Sequence, residues 1–388
     1  MSLYVAGLFA GIGGLELGFE RAGYRSVLLN DLDPAAETVL RKQFPNVEYK
    51  NDAASVDMLP DEVSVVCAGF PCQDLSMAGG KAGFDGAKSG VVKLLFELLQ
   101  RRPVQWVVIE NVYFMLHLAK GAGMRYVIEE LERLGYRWAY RVVDSRAFGL
   151  AQRRRRLFIV AAQDDDPRDV LLADDVPGIE WPPVDLEKPI GFFWTEGHSG
   201  HGLTADAIPP LKVGSGWGIP SPPAVLLPNG RTVMPSISSA ERLQGFPAGW
   251  TDVLEAEGSG RARWRLLGNA VSVPVAEWIA RKMLDVQRAG YVDAGDPLID
   301  RDAPWPKAAY NVTGERRRAR VSEHPVLMEP GRLSDMDTDA WPDLSSRALR
   351  GFVARARRSR LRYPAGFLEK LEECLVDRGT EKHVVSRV

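Results

Sequence analysis

Over the first 162 residues, short apolar runs alternate with segments of helical period, and this alternation constrains the fold more than any other feature of the chain. Residues 3–8, 26–29, 63–68, 106–109 and 157–162 are rich in aliphatic side chains and have the length of strands. Between them, 14–22, 34–44, 91–99 and 124–134 repeat apolar positions every three to four residues, as a helix with one buried face does. Buried strands separated by helices predict an α/β fold, a mostly parallel sheet wrapped by helices. Such a sheet builds its sites at the carboxyl ends of its strands, so the residues just after each run are the candidates for chemistry.

The pattern breaks after Ala162. Asp164-Asp165-Asp166-Pro167 opens a stretch dense in Pro, Gly and Trp that continues to about residue 231. Helical period returns at 238–244 and 273–286, a linker is expected over 293–306, and two helices over 345–359 and 364–377, the second opening with Pro364. The predicted organisation is an α/β domain over 1–163, a smaller turn-rich domain over 164–267, a return to the first domain over 268–292, and a helical, basic C-terminal extension over 293–388. The net charge of the 388 residues is −2, but it is unevenly spread. From Arg301 onward 18 basic residues face 13 acidic ones, leaving the tail near +5 and the first 300 residues near −7. The excess sits in Arg316-Arg317-Arg318-Ala319-Arg320 and over 355–362, and a further basic run is 153–156. Solvated faces account for such runs as readily as ligands do.

Three cysteines, Cys67, Cys72 and Cys374, cannot build a disulfide framework and suggest a reducing compartment. The first strand follows Met1 almost at once, which leaves no room for a signal peptide, and no apolar stretch is long enough to span a bilayer. A cytoplasmic protein with no membrane contact and no metal site is expected.

Four strand ends carry candidate chemistry. The first runs into Phe9-Ala10-Gly11-Ile12-Gly13-Gly14, a glycine-rich turn that lets backbone approach a ligand. The dinucleotide fingerprint needs a third glycine where Glu16 stands, so a pyrophosphate ligand and a nicotinamide oxidoreductase are disfavoured. Asp31, followed by Leu32, ends the second strand, where a carboxylate accepts from ribose hydroxyls; Asp52 could receive the amino group of an adenine. A nucleoside cofactor without a pyrophosphate fits these points, and S-adenosylmethionine is the common one. The 63–68 run leads into Gly69-Phe70-Pro71-Cys72-Gln73-Asp74-Leu75-Ser76. Pro71 fixes its own φ and biases Phe70 to extended backbone, holding the Cys72 thiol on a stiff chain, as a directed nucleophile requires. An inert buried cysteine is the plainer alternative. Glu110 ends the next strand, and strand ends converge, so it can lie near Cys72 and protonate a ring nitrogen of a base; alone, a salt-bridged carboxylate is the simpler reading.

With these motifs in order, the chain resembles the DNA cytosine-5 methyltransferase family of bacterial and phage type. The resemblance adds Gln152-Arg153-Arg154-Arg155-Arg156, Glu241-Arg242-Leu243-Gln244-Gly245-Phe246-Pro247 and Gly268-Asn269-Ala270-Val271, and covers about residues 3–290. It implies a Rossmann-like S-adenosylmethionine-dependent methyltransferase sheet, a turn-rich target-recognition domain and, outside the resemblance, the C-terminal extension. It also implies sequence-specific methylation of C5 of a cytosine flipped out of duplex DNA. Cys72 would add to C6, Pro71 would position it, Glu110 would serve N3 and the exocyclic amine, and Arg154 and Arg156 would support the site or touch the target ring or its phosphate. Alternation of a strand would point those two arginines the same way. Phe9, Gly11, Gly13, Gly14, Asp31, Leu32, Asp52, Asn269 and Val271 would bind S-adenosyl-L-methionine. The glycine-rich 79–89 segment resembles a loop that closes over the flipped base. The implied partners are double-stranded DNA and a cognate restriction or defence protein, with the enzyme a monomer.

The chain departs from the family at Asp31, where Glu is usual; at Tyr113, where Pro is usual; at Lys88-Ser89, often Arg-Ser; and at Ser239, usually Glu, with Glu241 nearby. None removes a catalytic group. A tRNA-acting member would carry a Cys-Phe-Thr signature, and there is no cysteine between Cys72 and Cys374. A non-catalytic DNA-binding or cofactor-sensing module would be expected to lack Cys72 or Glu110. The extension could be a phosphate-contacting helical segment or a partner-binding domain.

Overall fold

The computed structural model describes residues 3–70, 90–198, 200–213, 221–258, 260–285, 290–293, 295–300 and 303–385. In chain order the elements begin β1 (Tyr4–Leu8), α1 (Gly14–Arg21), β2 (Arg25–Asn30), α2 (Pro34–Gln43), β3 (Glu48–Lys50), β4 (Val63–Ala68), α3 (Gly90–Arg101), β5 (Trp106–Val112), α4 (Ala122–Arg133), β6 (Arg137–Asp144), β7 (Arg155–Ala162) and α5 (Pro167–Leu171). They continue with β8 (Ile190–Phe192), β9 (Thr204–Ala205), β10 (Ala224–Leu226), β11 (Thr232–Val233), α6 (Ile237–Leu243), α7 (Gly260–Asn269), α8 (Val273–Leu284), β12 (Ala308–Asn311), β13 (Arg317–Arg318), α9 (Ser346–Arg358) and α10 (Phe367–Val385). Local chemistry sets several of these ends. Asp33, Asp166 and Ser236 cap α2, α5 and α6 by accepting from Ala35, Arg168 and Ser239 N–H groups, and Pro34 and Pro167 open the first two.

The chain forms two compact units. The first comprises 1–148, 155–179 and 270–327, the second 149–154, 180–269 and 328–388. The sheet of the first unit has the order β13-β12-β6-β7-β5-β4-β1-β2-β3. Strands β1 to β5 run parallel, and β7, β6, β12 and β13 join antiparallel in turn beyond β5. Alternate side chains of each strand feed two apolar layers. Val66, Val107, Ile109 and Ile159 pack with Leu95 and Leu99 of α3 and Val127 and Leu131 of α4. Val5, Val65, Val108 and Val160 pack with Leu15 and Phe19 of α1 and Val275 and Ile279 of α8. Burial on both faces is why these strands read as continuous apolar runs.

The expected mostly parallel sheet is therefore a mixed one: of its antiparallel half the sequence showed β7, but not β6, β12 or β13. In β6, Arg137 and Arg141 interrupt the apolar signal. Arg141 is nonetheless fully buried, donating to the carbonyls of Ser322, Leu171 and Asp174 and pairing with Asp175 at 2.5 Å.

Residues 293–388 are not a separate helical body. Their first part supplies β12, paired with β6, and β13, and Arg316 and Asn311 converge on Glu132 of α4. The remainder belongs to the second unit. There a four-stranded antiparallel sheet, β11-β10-β8-β9, shares one core with α9 and α10. Phe192 of β8 lies 4.9 Å from the ring of Phe352 and 5.5 Å from that of Phe367. Apolar spacing in α9, at Leu349, Phe352, Val353 and Ala356, supplies the buried face.

Candidate active site

The glycine loop after β1 is held from β2. Phe9 N–H donates to the Asn30 side chain at 3.4 Å, Ala10 N–H to the Asn30 carbonyl at 2.9 Å, and Gly11 N–H to Oδ2 of Asp31 at 2.7 Å. Phe9, Gly11 and Gly13 have φ of 56°, 59° and 81°. Glycine adopts that left-handed backbone freely, but a phenylalanine there is a strained residue of the kind that clusters at ligand sites. Among the described residues, apart from Gly11 and its two chain neighbours, no atom lies within 4 Å of where a Gly11 Cβ would be, so the backbone there is not crowded by them.

Asp31 Oδ1 also accepts from Asp33 N–H at 2.9 Å, and Tyr49 OH donates to the Asp31 carbonyl. A carboxylate has about four acceptor positions, so Asp31 can serve several donors at once. Leu32, beside it, is 73% exposed, which leaves its apolar side chain accessible to cover a base. Asp52 is exposed and caps the turn that follows by accepting from Ala54 N–H at 2.9 Å. Strained loop, uncrowded backbone, acid and exposed leucine fit the nucleoside and methionyl parts of S-adenosylmethionine. Gly14 opens α1 and is buried; Val271 is buried beside Leu15 and Val275 in the core of the first unit; Asn269, exposed, ends α7 in the second unit.

The second group lies where β5 meets β7. Val112 and Arg156 are directly opposed in the ladder, and Glu110, two residues before Val112, emerges on the same face as Arg156. Nε of Arg156 lies 3.2 Å from Oε1 of Glu110, with side-chain exposures of only 14% and 8%. Burial pulls the Arg156 pKa below its ordinary value, and the Glu110 charge draws it back up. Asn111 turns to the other neighbour: its Nδ2 donates to the Phe70 carbonyl at 3.0 Å and its Oδ1 accepts from Val112 N–H at 2.9 Å. Phe70 immediately precedes Pro71 and Cys72, so the end of β5 holds the backbone that enters the nucleophile motif. Pro71, Cys72 and the 79–89 segment, including Lys88-Ser89, lie outside the described residues. Sequence reasoning assigned no role to Asn111, because its role depends on two strand ends lying side by side. Tyr113, the usual proline, receives the Arg155 guanidinium over its ring at 4.4 Å.

The remaining motif residues are internal supports of the second unit. Strand β7 starts at Arg155, so strand alternation does not extend to Arg154. Arg154, 1% exposed, donates to the carbonyls of Leu211 at 2.9 Å and Gly268 at 3.1 Å. Gln152 donates to the Leu243 carbonyl and accepts from Leu211 N–H, both at 2.8 Å. A Cβ at Gly268 would come within 2.4 Å of the Lys212 and Val213 backbone, which explains the glycine. Glu241, fully buried, accepts from the N–H groups of Gly249 and Thr251 and faces Arg263 at 3.5 Å.

One buried acid was recognised only as a missing glycine. Glu16 of α1 is fully buried, and among the described residues neither carboxyl oxygen meets a hydrogen-bond partner on another residue. Burial, with lesser repulsion from Glu20 and Asp31, pushes its pKa up to about 8. Cys67 of β4 is buried beside it and its thiol is likewise pushed up by burial.

A Rossmann-like sheet with a nucleoside-type loop at β1 and β2 and a buried acid at the end of β5 defines an S-adenosylmethionine-dependent methyltransferase. Residues 3–189 match the model of C-5 cytosine-specific DNA methylases. The chain is 43% identical over 384 residues to the Type II methyltransferase M2.BsuMI of Bacillus subtilis strain 168, covering 95% of this chain and 97% of that one. It is 29% identical to the Type II methyltransferase M.NgoBI of Neisseria gonorrhoeae, over 70% of this chain and 89% of the relative. The crystal structure of the S. pombe Dnmt2 methyltransferase shares the fold, with a TM-score of 0.54 and 16% identity over 73% of this chain and 98% of that one. The chain belongs to the C-5 cytosine-specific DNA methylase family, and it is a DNA cytosine-5 methyltransferase that uses S-adenosylmethionine. No helix among the described residues is long and apolar enough to cross a membrane.

Proposed function

We propose that the chain methylates one cytosine within a specific duplex sequence, as the modification partner of a restriction or other defence system. The setting is suggested by the Type II names of its relatives. It would act as a monomer in the bacterial cytoplasm, since a single chain carries the cofactor loop, the acid and the turn-rich segment expected to read DNA.

The observation that carries the chemical reading is the buried Glu110–Arg156 pair, with Asn111 of the same strand gripping Phe70 at the entry to Pro71-Cys72. C5 and C6 of a stacked cytosine are presented only edge-on, so the nucleotide must leave the helix to be attacked. The Cys72 thiolate then adds to C6 and forms an S–C bond, and the ring electrons move towards C5 and N3. Glu110 gives a proton to N3 and accepts from the exocyclic amine, which offsets the charge on the ring. Arg156 fixes the carboxyl orientation. S-adenosylmethionine would supply an electrophilic methyl group and would be held by Phe9, Gly11, Gly13, Gly14, Asp31, Leu32 and Asp52, with Val271 supporting that end of the site. Loss of the C5 proton to a base and departure of the thiolate restore the aromatic ring and the free cysteine. Arg154 contributes as a support of the backbone at Leu211 and Gly268.

Bisulfite sequencing of genomic DNA from cells expressing the protein tests the reading and yields the target. Methylated cytosines in a single sequence context are expected, and they should disappear with Cys72→Ala. Unmodified DNA, or modification that persists in the variant, would overturn it.

A further inference from the structure

The outer face of α9 carries charge that the catalytic reading leaves unused. Residues 346–363 contain seven arginines and no acidic residue. The structure sorts them into two groups. Arg355 donates to the carbonyls of Glu196 and Trp194 at 2.9 and 2.7 Å, and Arg357 pairs with Glu369 and Glu372 at 2.9 and 2.8 Å. Arg347, Arg350, Arg358, Arg360 and Arg362 are exposed, and no carboxylate among the described residues pairs with them. Arg347, Arg350 and Arg358 fall on one helical stripe with Ala354, opposite the buried Leu349, Phe352, Val353 and Ala356. That buried face shares the core of β8 and β10, so the stripe is mounted on a rigid element of the second unit.

We propose that this stripe is a phosphate-contacting face that grips duplex DNA without reading its sequence, an inference that rests on the DNA-methyltransferase reading. From Arg347 to Arg358 the helix rises roughly 16 Å at about 1.5 Å per residue. Duplex DNA carries one charge per about 1.7 Å of axis, so a row of that length meets several phosphates. Guanidinium forks suit phosphate oxygens and need no partner side chain. A protein partner is the weaker fit, because protein hot spots set Trp, Tyr or Arg in a well-packed, water-excluded centre, and this stripe has arginine and alanine but no aromatic residue to build one. Contacts of this kind set affinity and register and leave sequence choice to base-edge contacts elsewhere.

The test compares the full-length protein with a triple variant, R347Q/R350Q/R358Q, in equilibrium binding to an arbitrary duplex across a salt series. Because each phosphate contact contributes about 0.9 to the slope of log affinity against log salt, the slope should fall by two to three. Affinity at low salt should drop about tenfold or more. The triple lysine variant should restore most of the slope, and R357Q, which removes an internally paired arginine, should leave it unchanged. At saturating target DNA the glutamine variant should keep its kcat and show a raised KM. An unchanged slope in the glutamine variant overturns the proposal and gives the face to an acidic protein or to solvent. Failure of the catalytic reading is separately visible: the wild type would then leave every cytosine unmodified, whatever its salt slope.

Discussion

Glu110 and Arg156 stand 3.2 Å apart across the β5–β7 ladder, two residues off register and on the same face. The antiparallel insertion of β7 beside β5 creates this pair, since it brings the start of one strand to the end of the other. Glu110→Gln keeps the shape but removes a proton donor. It should lower kcat by about 10²–10⁴-fold while S-adenosylmethionine binding by calorimetry stays the same. Arg156→Gln should lower kcat too, and Arg156→Lys should recover part of it by restoring the charge. Equal activity of wild type and Glu110→Gln would remove the carboxyl from the chemistry.

Asn111 and Phe70 make a second prediction. Asn111→Ala leaves the Phe70 carbonyl without its donor in a buried place, at a cost of about 1–3 kcal/mol by urea unfolding. The rate of methyl transfer should fall more than cofactor affinity, because the backbone entering Pro71-Cys72 loses its anchor. Unaltered stability and rate together would show that the contact is incidental.

Glu16 makes stability depend on pH with a definite sign. Its folded pKa, about 8, lies above the ordinary 4.5. Below the ordinary value both states hold the proton. As pH rises towards 8 the unfolded chain ionises while the folded chain does not, so stability falls by up to about 1.4 kcal/mol per pH unit. Glu16→Gln removes that slope. Thermal unfolding of the two proteins should diverge progressively from mildly acid to mildly alkaline pH, the variant being the more stable at the alkaline end. Parallel curves would show that Glu16 is ionised in the fold.

Asp31 both accepts from Gly11 N–H and stands where a ribose would lie. Asp31→Ala should weaken S-adenosylmethionine binding about tenfold or more, as loss of charge-assisted hydrogen bonds predicts. Asp31→Glu, the residue usual in the family, should retain most of the affinity. Isothermal calorimetry without DNA separates this from any effect on the duplex.

Strands β1, β2, β4 and β5 of the catalytic sheet were legible because each carries a continuous apolar run buried in the sheet. Strand β6 was not, because Arg141 sits inside the core with carbonyl and carboxylate partners that only the fold assembles. Helix α7 was missed for a related reason: its sequence, Gly-Arg-Ala-Arg-Trp-Arg-Leu-Leu-Gly-Asn, buries Arg263 against Glu241 and ends in a motif that reads as a loop. The extension was misjudged because its apolar residues are few and their match, Ile190, Phe192, Ala224 and Leu226, lies more than a hundred residues earlier. In the site, strand ends named the acid Glu110 and the loop Phe9–Gly14. The anchoring by Asn111, the burial of Glu16 and the carbonyl-bound state of Arg154 depend on which neighbours the fold supplies.

The assignment of Cys72 as a carbon nucleophile is tested most directly with duplexes carrying 5-fluorocytosine at the target mapped by bisulfite sequencing. Fluorine at C5 blocks the final elimination, so wild-type enzyme with S-adenosylmethionine should form a covalent protein–DNA complex that survives denaturing electrophoresis. Cys72→Ala should form none while still binding the duplex. A wild-type enzyme that methylates the unmodified target but gives no adduct, or an adduct that persists in Cys72→Ala, would contradict the role of Cys72.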